Sequence, residues 1–517
     1  MTTKTMAPSR LELTPVWGGC ALAGWLCLAV GAQAQASTSG EGSRLRFQLS
    51  STLTVSDQIG RGAEATNDRG ALLSVRPSLL WQSRAGLVRG TVDFGLTGQE
   101  AIRTELQQSR QQNHLRATLN SGMGTRWLDL SLQAQVGQQA QSAFGAQGLG
   151  SSGSLARANQ KEVGSVVFTP RIDLGRGSDI GLEASHTLNA QQTRASTQGD
   201  QHGHVSNITL RGPEVARLQW RLTAQQQVAK PKAQRSTESD QAALELRGKV
   251  NSEWALRGTV GAGRSNLVQL DGERTTTYGG GLRWQPGPRT HVELDAGKSV
   301  VADQFNFKAQ HRWARLAINA LVSQSESQGG VLGSAGQQTR YDLLFQQYAS
   351  QEPDPVLRDA LVRQELARLG LSADAPAAAG FISSGPTLTR RGQLAFNWDL
   401  ARWSLSGNGS WSRSFRLGSE ARSDDLAQSS FVLQRGLGFN LAYRLNPKDS
   451  LNAYANWQRT QGDRAELANS LKSAGLAWTT RLGPRNQINL SLRRSEFRAT
   501  LRPYTENAFL GTLTQQF

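Results

Sequence analysis

Cysteine is almost absent from this chain of 517 residues. Both cysteines, Cys20 and Cys27, lie in an apolar run that ends at Val30, follows a basic segment and precedes small residues. That order indicates a secretory signal peptide over residues 1–36, cleaved near residues 34–36. The mature chain would then contain no thiol, which excludes disulfides and thiol chemistry.

Long apolar runs are also missing. The run that ends at Val30 is too short to span a bilayer as a helix, and no later segment approaches the ~20 residues that such a helix needs. The sequence therefore excludes a helical membrane protein. No linker or change of composition divides the remainder, so residues 37–517 are expected to form one unit.

Recognisable catalytic motifs are missing as well. The chain has no phosphate-binding P-loop, no nucleophile elbow and no zinc-protease motif. Gly148–Gly153 matches a dinucleotide-binding spacing, but it lies in a Ser/Gly-rich stretch without a strand before it or a helix after it. The six histidines are scattered. We therefore expect no catalytic residue, no cofactor and no metal site, in a protein that is not an enzyme.

Acidic residues are scarce relative to basic ones, which gives a formal net charge of +17. Such a surplus usually indicates nucleic-acid binding. Export and the even spread of arginine argue against a nucleic-acid partner here. Two interpretations remain: a basic solvated surface, or a basic interior lining.

Alternation of apolar and polar residues is the main pattern of the mature chain. It begins with Leu45, Phe47 and Leu49 against Arg44 and Arg46, the period of a half-apolar strand. Roughly 22 such segments recur, within a range of about 18–24, each near the ~9–11 residues of a tilted membrane-crossing strand. The sequence predicts an all-β protein, a transmembrane antiparallel β-barrel with one long, partly helical loop, in the outer membrane of a Gram-negative bacterium.

The connections alternate between short and long. Short ones include 83–86 and 286–289, whereas predicted long ones include 98–112, 189–203 and 226–240. Short periplasmic turns and longer extracellular loops show this asymmetry in outer-membrane barrels.

Aromatic residues agree with membrane interfaces. Trp254, Trp284 and Trp403 fall on the apolar face where strands meet short turns, a position that amphipathic rings favour. Trp127 and Trp220 do not fit this pattern.

The longest connection, residues 325–391, interrupts the strand pattern. Asp354 suits a helix cap, Pro355 the first helical position and Gly370 the stop, so a helix is predicted between them. Loops of this length are usually functional or disordered. The sequence leaves open whether the loop plugs the lumen or covers it from outside.

The last segment, from Tyr504 to Phe517, alternates and ends on an aromatic residue. In an outer-membrane barrel such a strand closes onto the first one. We expect Tyr504, Phe509, Leu513 and Phe517 to serve barrel closure and assembly, with membrane lipid and the barrel assembly machinery as partners.

Arginines lie opposite the apolar faces, so alternation is expected to turn them into the lumen. Pairing with lumenal acids is the alternative role, but the arginines outnumber those acids, and we predict anion selectivity. The candidates are Arg44, Arg46, Arg89, Arg116, Arg217, Arg221, Arg247, Arg257, Arg283, Arg315 and Arg493.

Three stretches carry a family resemblance: LDLSLQAQVGQQAQSAFG at 128–145, DPVLRDALVRQELARLGL at 354–371 and YTENAFLGTLTQQF at 504–517. They resemble the outer-membrane barrel family associated with PEP-CTERM/exosortase systems, found with exopolysaccharide loci. The exit of the first strand, VSDQIGRG at 55–62, departs from that family's pattern. The resemblance implies a surface-polysaccharide setting and supplies no catalytic residues.

Together these patterns predict a porin-like channel, a conduit for exopolysaccharide or associated exported material. Its expected partners are anionic polysaccharide or polysaccharide export components. Two alternatives remain open: an outer-membrane enzyme acting on glycan or lipid, and a non-conducting structural anchor for a polysaccharide export machine.

Overall fold

A computed structural model describes most of the chain after the predicted signal peptide, which itself lies outside the described residues. Every structural statement below concerns the described ranges: 43–57, 69–83, 85–102, 110–122, 127–146, 159–175, 179–213, 217–268, 272–328, 330–332, 341, 344–345, 358–359, 362, 380–420, 422–500 and 503–517.

The described residues include twenty-four strands and one short helix with described bounds, besides single helical residues between β16 and β17. The strands are β1 Ser43–Ser56, β2 Gly70–Ser83, β3 Val88–Ala101, β4 Arg110–Ser121, β5 Leu128–Ala140, β6 Gln160–Leu174, β7 Gly181–Thr193, β8 Gln201–Arg211, β9 Leu218–Pro231, β10 Thr237–Lys249, β11 Trp254–Ser265, β12 Glu273–Gly287, β13 Thr290–Lys298, β14 Asp303–Arg312, β15 Leu316–Ser327, β16 Gly330–Leu332, β17 Phe381–Ser383, β18 Thr387–Asp399, β19 Trp403–Arg416, β20 Phe431–Arg444, β21 Asp449–Gln461, β22 Ala468–Arg481, β23 Asn486–Ala499 and β24 Tyr504–Gln516. The helix, α1, is Asp425–Gln428.

The large sheet has 22 strands, each paired antiparallel with its neighbour along the chain, and it closes on itself. At the seam β1 pairs with β24, with Leu53 opposite Gly511. The Phe517 N–H extends the seam by donating to the Phe47 carbonyl at 2.9 Å. Closure leaves no open strand edge. The predicted antiparallel barrel and its strand number are thus confirmed.

The two faces of the wall differ as the alternation predicts. Outward residues are apolar and exposed, such as Phe47 at 52%, Val260 at 55% and Leu394 at 53%. The residues between them point inward and are mostly polar. A closed barrel with an apolar outside and a polar inside is the β architecture that can span a bilayer, because closure gives every strand a hydrogen-bonded neighbour on both sides.

The barrel has two unlike ends. The short-turn end carries connections such as 84–87, 288–289 and 400–402, whereas the long-loop end carries 57–69, 141–159 and 328–386. Both β1 and β24 have their outer termini at the short-turn end.

Outward aromatic pairs mark the short-turn end. Trp254 stacks on Trp284 with ring centroids 5.5 Å apart, and the rings of Trp403 and Tyr443 lie 4.2 Å apart. Trp220, which the sequence pattern left unplaced, also belongs here, because it lies opposite outward Leu246 near the start of β9.

Several strands are longer than predicted, and three predicted long loops are shorter than predicted. The 98–112 loop shrinks to 102–109. The 189–203 loop shrinks to the segment between Thr193 and Gln201, and the 226–240 loop to 232–236. Residues near these strand ends are polar on both faces, which hides the alternation while the backbone ladder continues. In the described ranges, no helix combines the length and apolar character needed to cross a bilayer.

Candidate functional site: the barrel lumen

The connection between β15 and β18, residues 328–386 and hereafter the lumen loop, crosses the mouth of the barrel. It leaves β15 through β16 and returns through β17, which pair with each other. Ile382 packs against Val163 on β6. Phe381 packs in a buried cluster with Val432 on β20. Because β6 lies across the ring from β18, the loop reaches the opposite wall.

A deeper part of the lumen loop touches the inner wall on the far side. Tyr341, Leu344 and Val362 form a small buried cluster. The Tyr341 hydroxyl donates to Asp359, and the Gln82 side chain on β2 donates to the same carboxylate.

Gln82 lies next to the short-turn end of β2, so the lumen loop extends through most of the barrel's depth. The Arg116 guanidinium on β4 lies 4.9 Å from the centre of the Tyr341 ring. Of the two alternatives that the sequence left open, the contacts of the described residues Tyr341 and Asp359 with the inner wall fit the plug. Of the predicted helix, Arg358, Asp359 and Val362 are described, and all three are helical.

One part of the inner wall is covered. On β22 the inward residues Asn469, Leu471, Ser473, Ala477 and Thr479 are all buried. We call the inner faces of β21–β23 the covered wall. Its inward side chains are small or uncharged, and among Ser450–Thr460, Asn469–Thr479 and Gln487–Phe497 the only inward charge is Arg493.

Another part of the inner wall remains accessible. On β10 none of the inward residues from Ser239 to Arg247 is buried. We call the inner faces of β10–β14 the open wall. It carries the charged inward side chains Glu245, Arg247, Arg257, Arg283, Glu293, Asp295 and Lys308.

A cavity of about 860 Å³ lies between the open wall and the lumen loop. Arg257 and Lys308 line it from the open wall, Arg391 lines it from β18 and Arg358 lines it from the loop. Asp295 is the one carboxylate among the lining residues. The cavity is therefore polar and carries more positive than negative charge.

Register places most of the predicted lumenal arginines on the inward face. These are Arg44, Arg46, Arg89, Arg116, Arg221, Arg247, Arg257, Arg283 and Arg493. Arg217 and Arg315 were predicted to lie on strands and do not. Each lies in a short turn just before β9 or β15, so alternation assigns it no direction. The error arises because strand boundaries are weakly marked in sequence.

Ion pairs with lumenal acids compensate part of this inward positive charge. Such pairing is the alternative role that the sequence left open for the arginines. Arg247 and Arg257 both contact Glu245, at 3.4 and 3.5 Å, and Arg257 also contacts Asp295. Arg493 pairs with Glu506 at 3.2 Å beside the seam, where the Ser56 hydroxyl donates to the same carboxylate. The Glu506 carboxylate thus compensates the charge of Arg493, the one buried cation among the described residues of the covered wall.

Sequence reasoning missed four cations of the cavity lining: Lys298, Lys308, Arg358 and Arg391. Lys308 alternates with outward Phe307 and Ala309, so the same alternation signal identifies it. Arg391 was assigned to the loop, but β18 already begins at Thr387. Arg358 does not lie on a strand, so alternation could not identify it. In the structure its guanidinium lies 4.7 Å from the Phe345 ring centre.

The predicted closure residues divide between the two faces. Phe509 and Leu513 point outward opposite Val55 and Ser51 of β1. Tyr504 points inward and stacks on Phe497 with ring centroids 5.3 Å apart. Exposed Phe517 ends the seam beside Phe47.

Loops at the long-loop end interlock through α1. Buried Asp424 caps that helix through the Leu426 N–H and accepts from the Ser384 N–H at 2.7 Å. Arg422 lies 3.4 Å from the Asp424 carboxylate. This joins the β19–β20 connection to the lumen loop.

Asp425 provides the second junction, to the β5–β6 connection. It accepts from the Ser142 hydroxyl and the Ala143 N–H, both at 2.6 Å. Burial raises the pKa of Asp425 to about 6, although both hydrogen bonds oppose the shift. The lumen loop, Asp424 and Asp425 thus form a set of contacts, hereafter the loop latch, with one group that titrates near neutrality.

A scan against protein-family models finds no match. A search of curated proteins finds none either. Among solved structures, the FrpB iron transporter from Neisseria meningitidis (F5-1 variant) is similar at 10% identity and a TM-score of 0.49, with 94% of this chain and 84% of that one covered.

The siderophore receptor PirA from Acinetobacter baumannii gives 9% identity, a TM-score of 0.46 and coverages of 91% and 80%. OccK5 (OpdH) from Pseudomonas aeruginosa gives 10% identity, a TM-score of 0.33 and coverages of 92% and 99%. At these values the similarities carry no argument about ligand or mechanism.

Proposed function

We propose that this protein is an outer-membrane conduit for anionic solutes, narrowed by its own lumen loop. One observation carries the proposal: a cavity of about 860 Å³ separates the loop from the open wall. The lumen is therefore filled on one side and accessible on the other. A solute would pass through this cavity.

Membrane placement follows from the outer surface. Exposed Leu222, Leu437 and Phe439 belong to an apolar face that continues around the wall. Contiguous apolar area of that extent is unstable in water but matches lipid. Export by the predicted signal peptide would deliver the chain to the outer membrane, where the barrel assembly machinery would recognise the closing strand β24.

The charge of the cavity favours anions. Arg257 is held by carboxylates, whereas Arg391 donates to the Ser323 hydroxyl, a neutral acceptor, at 3.1 Å. With Lys308 and Arg358 nearby, the lining has a positive excess. A low-dielectric wall concentrates that field and raises the local anion concentration. Guanidinium groups also bind carboxylates and sulfates in bidentate fashion.

Acidic exopolysaccharide is the proposed cargo, in keeping with the family resemblance, and export components would be its partners. The cavity of about 860 Å³ has the size of a small-molecule site. An extended polymer would therefore require the lumen loop to move. We infer a gated conduit in which the loop contacts at Gln82 and at the loop latch hold the closed state.

The test is the reversal potential of the purified barrel across a KCl gradient in planar bilayers. We expect anion selectivity that weakens as salt rises, because screening shortens to ~3 Å at 1 M. A triple variant, Arg257→Gln with Lys308→Gln and Arg391→Gln, should lose most of it. Arg498→Gln is the control, because Arg498 lies outward and pairs with Glu496. Cation selectivity, or an unchanged triple variant, contradicts the proposal.

A second function, the non-conducting anchor, is favoured by the interlocking of the lumen loop with α1 through Asp424. Its signature would be a folded, inserted barrel that passes no current. In that case deletion of the loop would create conductance where the whole chain has none.

A further inference from the structure

Outward arginines lie directly opposite one another on two neighbouring strand pairs. Arg390 on β18 faces Arg413 on β19, and Arg435 on β20 faces Arg459 on β21. Their strands alternate with outward Leu394 and Leu437, so all these arginines lie on the outer surface. We call this set the outer arginine cluster.

Opposed like charges destabilise a sheet unless something compensates them. In the outer half of β18–β21 the neighbouring outward residues are Leu388, Trp411, Phe415, Phe431, Leu433, Trp457 and Gln461, and none is acidic. Glu326, on adjacent β15, lies opposite Leu388 and accepts from Ser299. The cluster therefore lacks a carboxylate of its own in these strands.

Aromatic rings position part of the cluster. The Arg413 guanidinium lies 4.3 Å from the Phe431 ring centre and 4.8 Å from that of Phe415. The Arg390 guanidinium lies 5.8 Å from the Phe415 ring centre. The Arg413 Nε is buried and has no hydrogen-bond partner among the described residues. Cation–π contacts orient these groups without neutralising them.

The position of the cluster defines its ligand. Three of the arginines lie two residues beyond an apolar or aromatic outward residue toward the long-loop end: Arg413 beyond Trp411, Arg435 beyond Leu437 and Arg459 beyond Trp457. Arg390 lies four residues beyond Leu394. Two residues correspond to roughly 6–7 Å along a strand. The cations therefore lie within the outer margin of the apolar belt, with Leu388, Phe415, Phe431 and Leu433 beyond them, where a ligand with both acyl chains and anionic groups fits.

We propose that the outer arginine cluster docks a phosphate-bearing lipid of the leaflet that surrounds the long-loop end. The phosphates bridge the opposed guanidinium pairs, and the acyl chains lie on Trp411, Leu437 and neighbouring apolar residues. The proposal rests on the membrane placement above but not on conduction. A barrel that inserts and carries no current can still bind the lipid.

A second opposed pair provides the matched control. Arg264 on β11 faces Arg274 on β12, also outward and near the long-loop end. Asp240 on β10 lies opposite Arg264 on its other side. The Asp240 carboxylate therefore offsets part of the positive charge of these two arginines. A lipid phosphate is not needed to compensate it.

The experiment measures lipid bound to the full barrel in detergent by native mass spectrometry. The probes are a diphosphorylated lipid A, the same lipid without phosphates, and inorganic phosphate. The cluster variant replaces Arg390, Arg413, Arg435 and Arg459 with Gln, and the control replaces Arg264 and Arg274 with Gln. Heat-modifiable migration confirms that each variant is folded.

We expect the cluster variant to bind the diphosphorylated lipid at least ~10-fold more weakly than wild type, since each cation at a charged lipid surface contributes appreciably. The control should retain wild-type binding, and the dephosphorylated lipid should bind both barrels alike. Equal losses in the two variants, or equal affinity for the lipid with and without phosphates, would overturn the proposal. Displacement of the lipid by millimolar inorganic phosphate alone would also overturn it, because it would identify an anion site without lipid specificity. A single Arg435→Lys variant, which keeps the charge, should retain most binding.

Discussion

The covered wall and the open wall have the same architecture and opposite chemistry. Inward residues of β22 such as Ser473, Ala477 and Thr479 are buried, small and uncharged. Inward residues of β10 and β11 such as Glu245 and Arg257 are accessible and charged. Inward and outward residues alternate equally well along the strands of both walls, so this alternation alone does not distinguish the two walls.

Desolvation explains the difference. Burying an unpaired charge costs several kcal/mol, whereas burying a small hydroxyl or amide side chain costs only about 1–3 kcal/mol even without a partner. The Ser473 hydroxyl is such a group among the described residues. A wall against which protein packs therefore favours Ser, Asn, Thr and Ala. A wall that faces water can carry Arg and Glu. The type of inward residue thus indicates which side of a filled barrel stays open.

Removing the lumen loop should have the largest effect on this contrast. We expect replacement of residues 340–378 by a Gly/Ser linker to raise single-channel conductance several-fold, since a barrel of 22 strands encloses a space wider than its wall side chains can fill. The replacement leaves β16 and β17 in place to hold the mouth. Recordings in planar bilayers measure the change, and an unaltered conductance in a folded variant would place the loop outside the conducting path.

Weakening the deep contact of the loop should have a smaller effect. Asp359 is buried and accepts from Tyr341 and Gln82. Asp359→Ala leaves those donors without an acceptor, at a cost of about 1–3 kcal/mol to the closed state. We expect more frequent openings in single-channel traces.

The matched control for Asp359→Ala is Gln225→Ala. It removes a hydrogen bond of 3.2 Å between Gln225 and Gln241 on the accessible side of the lumen. Openings as frequent in this control as in Asp359→Ala would show that the loop contact is not what holds the closed state.

Acid should strengthen the loop latch by a still smaller amount. Burial raises the pKa of Asp425 to about 6 from its ordinary 3.8, and separation of the loops would return it toward that value. The packed state therefore binds the proton more tightly, and its stability rises as pH falls through about 6, by at most ~3 kcal/mol. Neighbouring Asp424 and Arg422 are the other charged groups of the latch. We expect fewer openings at pH 5 than at pH 8 on the long-loop side.

Asp425→Asn should abolish that pH dependence and hold the low-pH behaviour throughout. Asp463→Asn is its control, because Asp463 is exposed and the Ser430 N–H lowers its pKa, so it does not titrate near pH 6. If Asp425→Asn keeps the wild-type pH response, another group controls the latch.

Local alternation of apolar and polar residues was sufficient to predict the barrel wall, but it did not predict the path of the loop inside the barrel. Period-2 patterning gives strand number, closure at β24 and the inward direction of residues such as Arg257, because each depends on neighbours along one strand. The ends of β7 and β9 and the turn positions of Arg217 and Arg315 were missed, because polar residues on both faces mask where a ladder stops. The path of the lumen loop depends on contacts such as Asp359 with Gln82, between residues far apart in sequence. No local pattern encodes those contacts.

The most direct test of the two-wall account is the accessibility of matched cysteines. Ala243 lines the cavity on β10, whereas Ala477 is an inward residue of β22 at 3% exposure. Ala243→Cys and Ala477→Cys are the same substitution on the same face of two walls, in a chain whose natural cysteines both precede residue 43. The account predicts that a water-soluble thiol reagent labels Ala243→Cys rapidly and Ala477→Cys very slowly, and that loop replacement makes the two rates equal. Equal rates with the loop intact would contradict it.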